Sequence, residues 1–141
     1  YAMVETVDEH YGNVIEALLV VLVLVNMGTR WLAHRSYLAQ AASDAEEISR
    51  HLVHEASNVV LVLVAFYFLT LQHHAGIVLA TLVLGLIITD FFEFESRQVE
   101  VRNDMAVERP KGAMAASLLV FAYAFFLSLF SVIQPFWDAI I

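Results

Sequence analysis

The chain alternates apolar blocks with polar connections: Val14–Leu32, with Glu16 near its start, then Val59–Leu71, Ile77–Phe92 and Ala113–Ile133. Each block reads as a transmembrane helix, since ~20 residues at ~1.5 Å each cross a ~30 Å hydrocarbon layer. Two of the uninterrupted runs are short for this, so their ends must bring polar residues close to the headgroups. The pattern predicts an all-α integral membrane protein, a single up-and-down bundle of four transmembrane helices at about 13–41, 44–73, 75–103 and 110–134.

Local signals place the helix ends. Ser43-Asp44-Ala45-Glu46 has the form of a capping box and would start the second helix near Asp44, well before its apolar run. Pro110 suits the first turn of the fourth helix, where its missing N–H costs nothing. Pro135-Phe136-Trp137 would stop or kink that helix and leave aromatic rings at interface height. A secretory signal peptide is not expected at the first block, because an acidic segment precedes it and no cleavage signature follows.

Charge sets the expected threading. Arg30, Arg35 and Arg50 lie between the first and second apolar cores, and Arg97, Arg102, Arg109 and Lys111 between the third and fourth. By the positive-inside rule both connections are cytoplasmic and both termini lie outside a multi-pass cell-membrane protein. Only 16% of residues are charged and 60% are apolar, against a soluble norm of about 25% charged. The formal charge of −8 argues against nucleic acid as a partner and against anionic lipid held through bulk charge. The expected partners are membrane lipid and either other membrane subunits or further copies of the chain. With no cysteine, disulfides, iron–sulfur clusters, thiolate zinc sites and cysteine nucleophiles are excluded.

One stretch carries candidate chemistry. In "SRHLVHEASN", residues 49–58, His51, His54, Glu55 and Asn58 share a helix face. A tight turn at His73-His74 sets this face against "TDFFEFESR", residues 89–97, with His54 level with Glu93 and Ser57 with Asp90. His54, Glu55, Asp90 and Glu93 are then a candidate cation site, imidazole and carboxylates at one-turn spacing. The competing reading is a polar junction of two helix ends, bonded internally and to water. Haem would need histidines at matched depth on two helices, and only His34 could partner His51 or His54. Glu16 is a candidate ion-coupling carboxylate, or else a group that snorkels outward or is protonated.

The fourth helix carries small residues, Ser117, Ala124 and Ser131, every seven positions, a packing face directed into the bundle or against another subunit. Gly85 and Ala80 could be its complement. Asn26, Thr29, Tyr67, Thr70 and Thr81 could line a path, yet no chain of acidic residues crosses the middle of the bilayer. No nucleophile elbow, phosphate-binding glycine loop or His-Glu-x-x-His motif is present, so neither catalysis nor a cofactor is expected.

The segments "SRHLVHEASNVVLVLVAFYFLTLQHHAG", "LVLGLIITDFFEFESRQVEVRND" and "PKGAMAASLLVFAYAFFLSLF" together resemble a family of small four-helix membrane proteins of haloarchaea whose function is not known. The resemblance runs from about Val14 to Ile133. It implies that the acidic, lysine-poor composition is halophilic, an adaptation to a salt-rich cytoplasm, and it transfers no activity or site residue. The leading expectation is a non-catalytic membrane subunit or partner within a larger assembly, and the alternative is a small homo-oligomeric ion channel or transporter.

Overall fold

Buried positions follow one stripe along each helix, and those stripes define the interior. The computed structural model describes the backbone of residues 2–43 and 48–140, with side chains except at 2–12, 131–132 and 134–138. Its elements are α1 (Ala2–Ala42), α2 (Leu52–Leu71), α3 (His73–Arg102) and α4 (Lys111–Ile140). Each helix packs on its chain neighbours and α4 closes on α1, the up-and-down arrangement expected of short connections. All four helices are long and apolar enough to cross a membrane.

On α1 the buried stripe reads Ile15, Leu19, Val23, Asn26, Arg30, His34 and Tyr37, at intervals of three and four. Its first half is aliphatic and its second half polar. On α2 and α3 the stripes run the same way in space. Leu61, Ala65 and Phe68 face Leu79, Val83 and Leu86 near the α2–α3 turn, while His54 and Asn58 lie at the other end, where α3 carries Asp90 and Arg97. Val120 and Ala124 of α4 complete the aliphatic half. Outward-facing positions are also apolar, among them Leu24, Val25, Leu63, Ile88, Leu119 and Phe126.

The α2–α3 turn is tighter than two histidines. Gln72 alone separates the helices, donating its N–H to the Phe68 carbonyl and accepting from the Gly76 N–H. Gly76 lies so close to α2 that a Cβ there would strike the Leu69 backbone. This close approach holds the expected α2–α3 register to within about one helical turn.

Helix two starts later than the capping-box pattern predicts, at Leu52 rather than near 44. His51 is its N-cap, its Nδ1 accepting from the His54 N–H at 3.2 Å. Ser43 instead closes α1, its hydroxyl donating to the Gln40 carbonyl at 2.8 Å, and Asp44 to Glu47 lie outside the described residues. Two glutamines hold the segment between. Gln98 of α3 binds both backbone groups of Ile48, at 2.9 and 2.6 Å, and Gln40 of α1 accepts from the Ser49 N–H at 2.8 Å. Ile48 is thereby anchored in a second apolar cluster with Ala33, Tyr37, Phe94 and Val101.

Two other ends differ from expectation. Helix α1 starts at Ala2 rather than about 13. Pro135 does not end α4, whose backbone stays helical to Ile140; an interior proline costs a helix about 3 kcal/mol but does not forbid its continuation. The rings of Phe136 and Trp137 lie outside the described side chains. At the other end Pro110 sits at the cap, its carbonyl accepting from the Met114 N–H at 2.9 Å.

Helix α3 ends in a Schellman motif: the Met105 N–H donates to the Glu100 carbonyl at 2.8 Å, and the Asp104 N–H to Val101 at 3.3 Å. Asp104 therefore takes a left-handed backbone, φ 54°, which a side chain disfavours. Asp104→Gly is expected to stabilise the protein by about 0.5–1 kcal/mol. Thermal unfolding in detergent checks this, with a raised midpoint as the expected result.

Candidate functional site

The polar half of the interior is a closed circuit of side chains from three helices. Asn26 and Arg30 are one turn apart on α1, as are His54 and Asn58 on α2, so each helix offers two inward groups on one face, stacked along the axis. Arg30 Nη2 donates to Asn26 Oδ1 at 2.8 Å, and Asn26 Nδ2 donates to Asn58 Oδ1 at 2.7 Å. Asn58 Nδ2 then donates to Asp90 Oδ2 at 2.7 Å, and Arg30 Nε completes the ring to Asp90 Oδ1 at 3.5 Å. The residue at its centre is deeply buried, with Arg30 only 3% exposed.

His54 braces this ring. Its Nε2 lies 3.0 Å from Asp90 Oδ2, and its Nδ1 lies 2.9 Å from Thr29 Oγ1. The Thr29 hydroxyl also lies 3.0 Å from the Asn26 carbonyl, its second potential acceptor. Thr29 thereby links the α1 backbone to the His54 ring.

The four candidate cation ligands border one small cavity but do not aim at a common point. His54 and Asp90 meet, but both nitrogens of His54 are engaged with Thr29 and Asp90. Glu55 turns toward Arg50, 3.6 Å away. Glu93 Oε1 accepts from the Ala113 N–H at 3.1 Å and so caps α4, with Gly112 leaving it room. Among the described residues no three His, Asp or Glu groups are placed to hold a metal ion. His51 serves α2 as its cap, and His34 borders the same small cavity as His54.

Glu16 is buried, 4% exposed, so it does not snorkel outward. It lies beside Ile15 and Leu19 in the aliphatic half, fourteen positions or about 21 Å along α1 from Arg30. Ser117 and Ala124 face into the bundle, while Gly85 is on the outside and the Ser131 side chain is outside the described set. Arg30 is the residue that charge counting misplaces, in a connection rather than at the heart of the site. Its signal is the spacing 15, 19, 23, 26, 30, 34, in which the apolar stripe of α1 continues without a break into Asn26, Arg30 and His34.

Beside the ring a cavity of about 20 Å³ is bounded by Arg30, His34, Glu93 and Arg97, among others. Each of these four carries a buried polar atom with no partner among the described residues: Arg30 Nη1, His34 Nδ1, Glu93 Oε2 and Arg97 Nε. The space is enough for one water molecule, whose two donors and two acceptor sites match this set of groups. Arg97 also donates to the carbonyls of Glu108 and Arg109 at 3.0 and 3.2 Å and to Glu100 Oε1 at 2.8 Å, fixing the α3–α4 connection.

Removing one member of the Arg30–Asp90 pair leaves a buried charge uncompensated, at a cost of about 3–5 kcal/mol. Arg30→Met and Asp90→Asn are each expected to destabilise by this order, and the double variant by less than the sum of the two. Equilibrium unfolding in detergent, analysed as a double-mutant cycle, measures the coupling; strict additivity would contradict a direct pair.

No curated protein and no solved structure matches the chain. A family model described as a domain of unknown function, DUF7313, matches residues 2–141. The four helices and the polar ring thus describe a member of the DUF7313 family, to which this chain belongs.

Proposed function

We propose that the chain is a multi-pass protein of the cell membrane, with both termini outside, that acts as a non-catalytic partner within a larger membrane assembly. Its polarity supports the membrane placement: large aliphatic and aromatic side chains cover the outside of all four helices, while arginine, aspartate and asparagine lie inside. In water that surface would be exposed at great cost; in lipid it is matched. The orientation rests on the basic residues, which lie from Arg30 to Arg50 and from Arg97 to Lys111, at the end of the bundle away from the α2–α3 turn. The excess of acidic over basic residues, 15 against 7, supports adaptation to a salt-rich, haloarchaeal interior.

The observation that carries the non-catalytic reading is how the interior is filled. Leu19, Val23, Leu61, Phe68, Leu79, Val83 and Leu86 are each at most 1% exposed and occupy the half nearest the α2–α3 turn. The polar half spends most of its groups on one another. Among the described residues Glu16 is the one buried carboxylate in the aliphatic half, too few for a relay across the hydrocarbon layer, so the function is read as exerted through the surface. Because Ser117 and Ala124 are consumed inside the bundle, the partner contact falls to outward residues such as Leu119 and Phe126 of α4.

The absence of native cysteine makes threading directly measurable. Ser49→Cys is expected to react with a membrane-impermeant maleimide only from the cytoplasmic side, and His74→Cys only from outside; the reverse pattern would invert the topology. Photo-crosslinkers placed at Leu119 and Phe126 in native membranes are expected to capture other polypeptides. Adducts between copies of this chain alone, together with proton or sodium flux in liposomes that Asp90→Asn or Glu16→Gln abolishes, would replace the partner reading with a homo-oligomeric ion pathway.

A further inference from the structure

Along the seam of α1 and α4 runs a groove of about 250 Å³ whose lining changes character from end to end. At the end near the connections are Arg30, His34 and Arg109; toward the middle of the bundle are Met27, Met114 and Leu118. The two helices are antiparallel, so descending numbers on α1 and ascending numbers on α4 lead in the same direction, from basic to apolar. Every charged residue in this lining is a cation, in a chain whose formal charge is −8.

Arg30 and His34 border both this groove and the smaller cavity beside the ring, and Arg30 is already paired with Asp90, so the cation of the groove with charge to spare is Arg109. Arg109 forms no ion pair among the described residues, and its backbone is fixed by Arg97 at the start of α4, where the helix dipole adds partial positive charge.

We infer that this groove binds the phosphate headgroup of an anionic membrane phospholipid, with the start of an acyl chain along Met27, Met114 and Leu118. The inference rests on the proposed membrane placement and specifies the ligand that the surface takes there. A volume of about 250 Å³ falls below the ~300–1,000 Å³ of pockets that enclose a whole small molecule, and suits a headgroup whose chains continue into the bilayer. The apolar half distinguishes a lipid from a free anion, which would leave that lining unused. Trp31, 57% exposed on the same seam, is a residue type enriched at headgroup level. Bulk charge disfavours acidic lipid, as the composition indicates; the site works because its cations are local and its carboxylates face elsewhere.

Native mass spectrometry of the purified full chain, titrated with phosphatidylglycerol and with phosphatidylcholine of identical acyl chains, tests this. Phosphatidylglycerol is expected to bind in preference, and Arg109→Gln to weaken it about five-fold. Met114→Trp, which fills the apolar half and leaves the charge intact, is expected to weaken it as well. Arg35→Gln, an exposed α1 position outside the groove, should leave binding unchanged, and circular dichroism verifies that each variant is folded. Equal binding of the two lipids, an Arg35→Gln effect matching that of Arg109→Gln, or inorganic phosphate displacing the lipid with Met114→Trp inert would each overturn the site. The maleimide labelling described above reads membrane placement separately, so failure of this site and failure of that placement give different results.

Discussion

A guanidinium and a carboxylate held inside a helical bundle must be solvated by the protein itself, and the inner half of this molecule is organised around that requirement. The Arg30–Asp90 separation of 3.5 Å is too long to carry the pair alone. Asn26 and Asn58 therefore act as a second, directional connection: each amide accepts on one side and donates on the other, passing polarisation from the arginine to the aspartate. His54 occupies the second lone-pair direction of Asp90 Oδ2, and Thr29 holds the far side of its ring. Because these groups come from α1, α2 and α3, satisfying one charge pair fixes the relative rotation and depth of three helices.

The fourth helix is held by different means. Glu93 accepts from its first turn, and Arg97 and Glu100 bind the connection that leads into it. Small residues, Ala113, Ser117 and Ala124, then allow close approach to the rest of the bundle. The larger of the two cavities described lies at the α1–α4 seam. Its basic end borders the ring through Arg30, so whatever occupies the seam is one side chain from Asp90.

Both polar connections are bound by glutamine and arginine from α3. Gln98 engages Ile48 through both amide atoms, as a neighbouring strand would, and Arg97 grips two successive carbonyls. Such side chains satisfy backbone groups that no helix can. They also explain why α2 is shorter than its hydrophilic flank suggested: the segment before Leu52 is extended to meet α3, and His51 supplies the cap that Ser43 does not.

Periodicity and hydropathy suffice by themselves to read four helices, the antiparallel order and the meeting of "SRHLVHEASN" with "TDFFEFESR", because these depend on local patterns and on one tight turn; the starts of α1 and α2 are not read in this way. Residue counting set His54 level with Glu93 and Ser57 with Asp90; His54 instead meets Asp90, about one helical turn away. The fate of Glu55 and Glu93 was not legible: rotation by less than half a turn separates a carboxylate aimed at Asp90 from one aimed at Arg50 or at the start of α4. Arg30 escaped notice because a lone arginine at the end of an apolar block looks like a membrane-edge residue until two neighbouring helices close over it. Only tertiary structure decided that it lies inside, since burial of a charge depends on whether partners from other helices arrive at its depth and orientation, and no single helix carries that information.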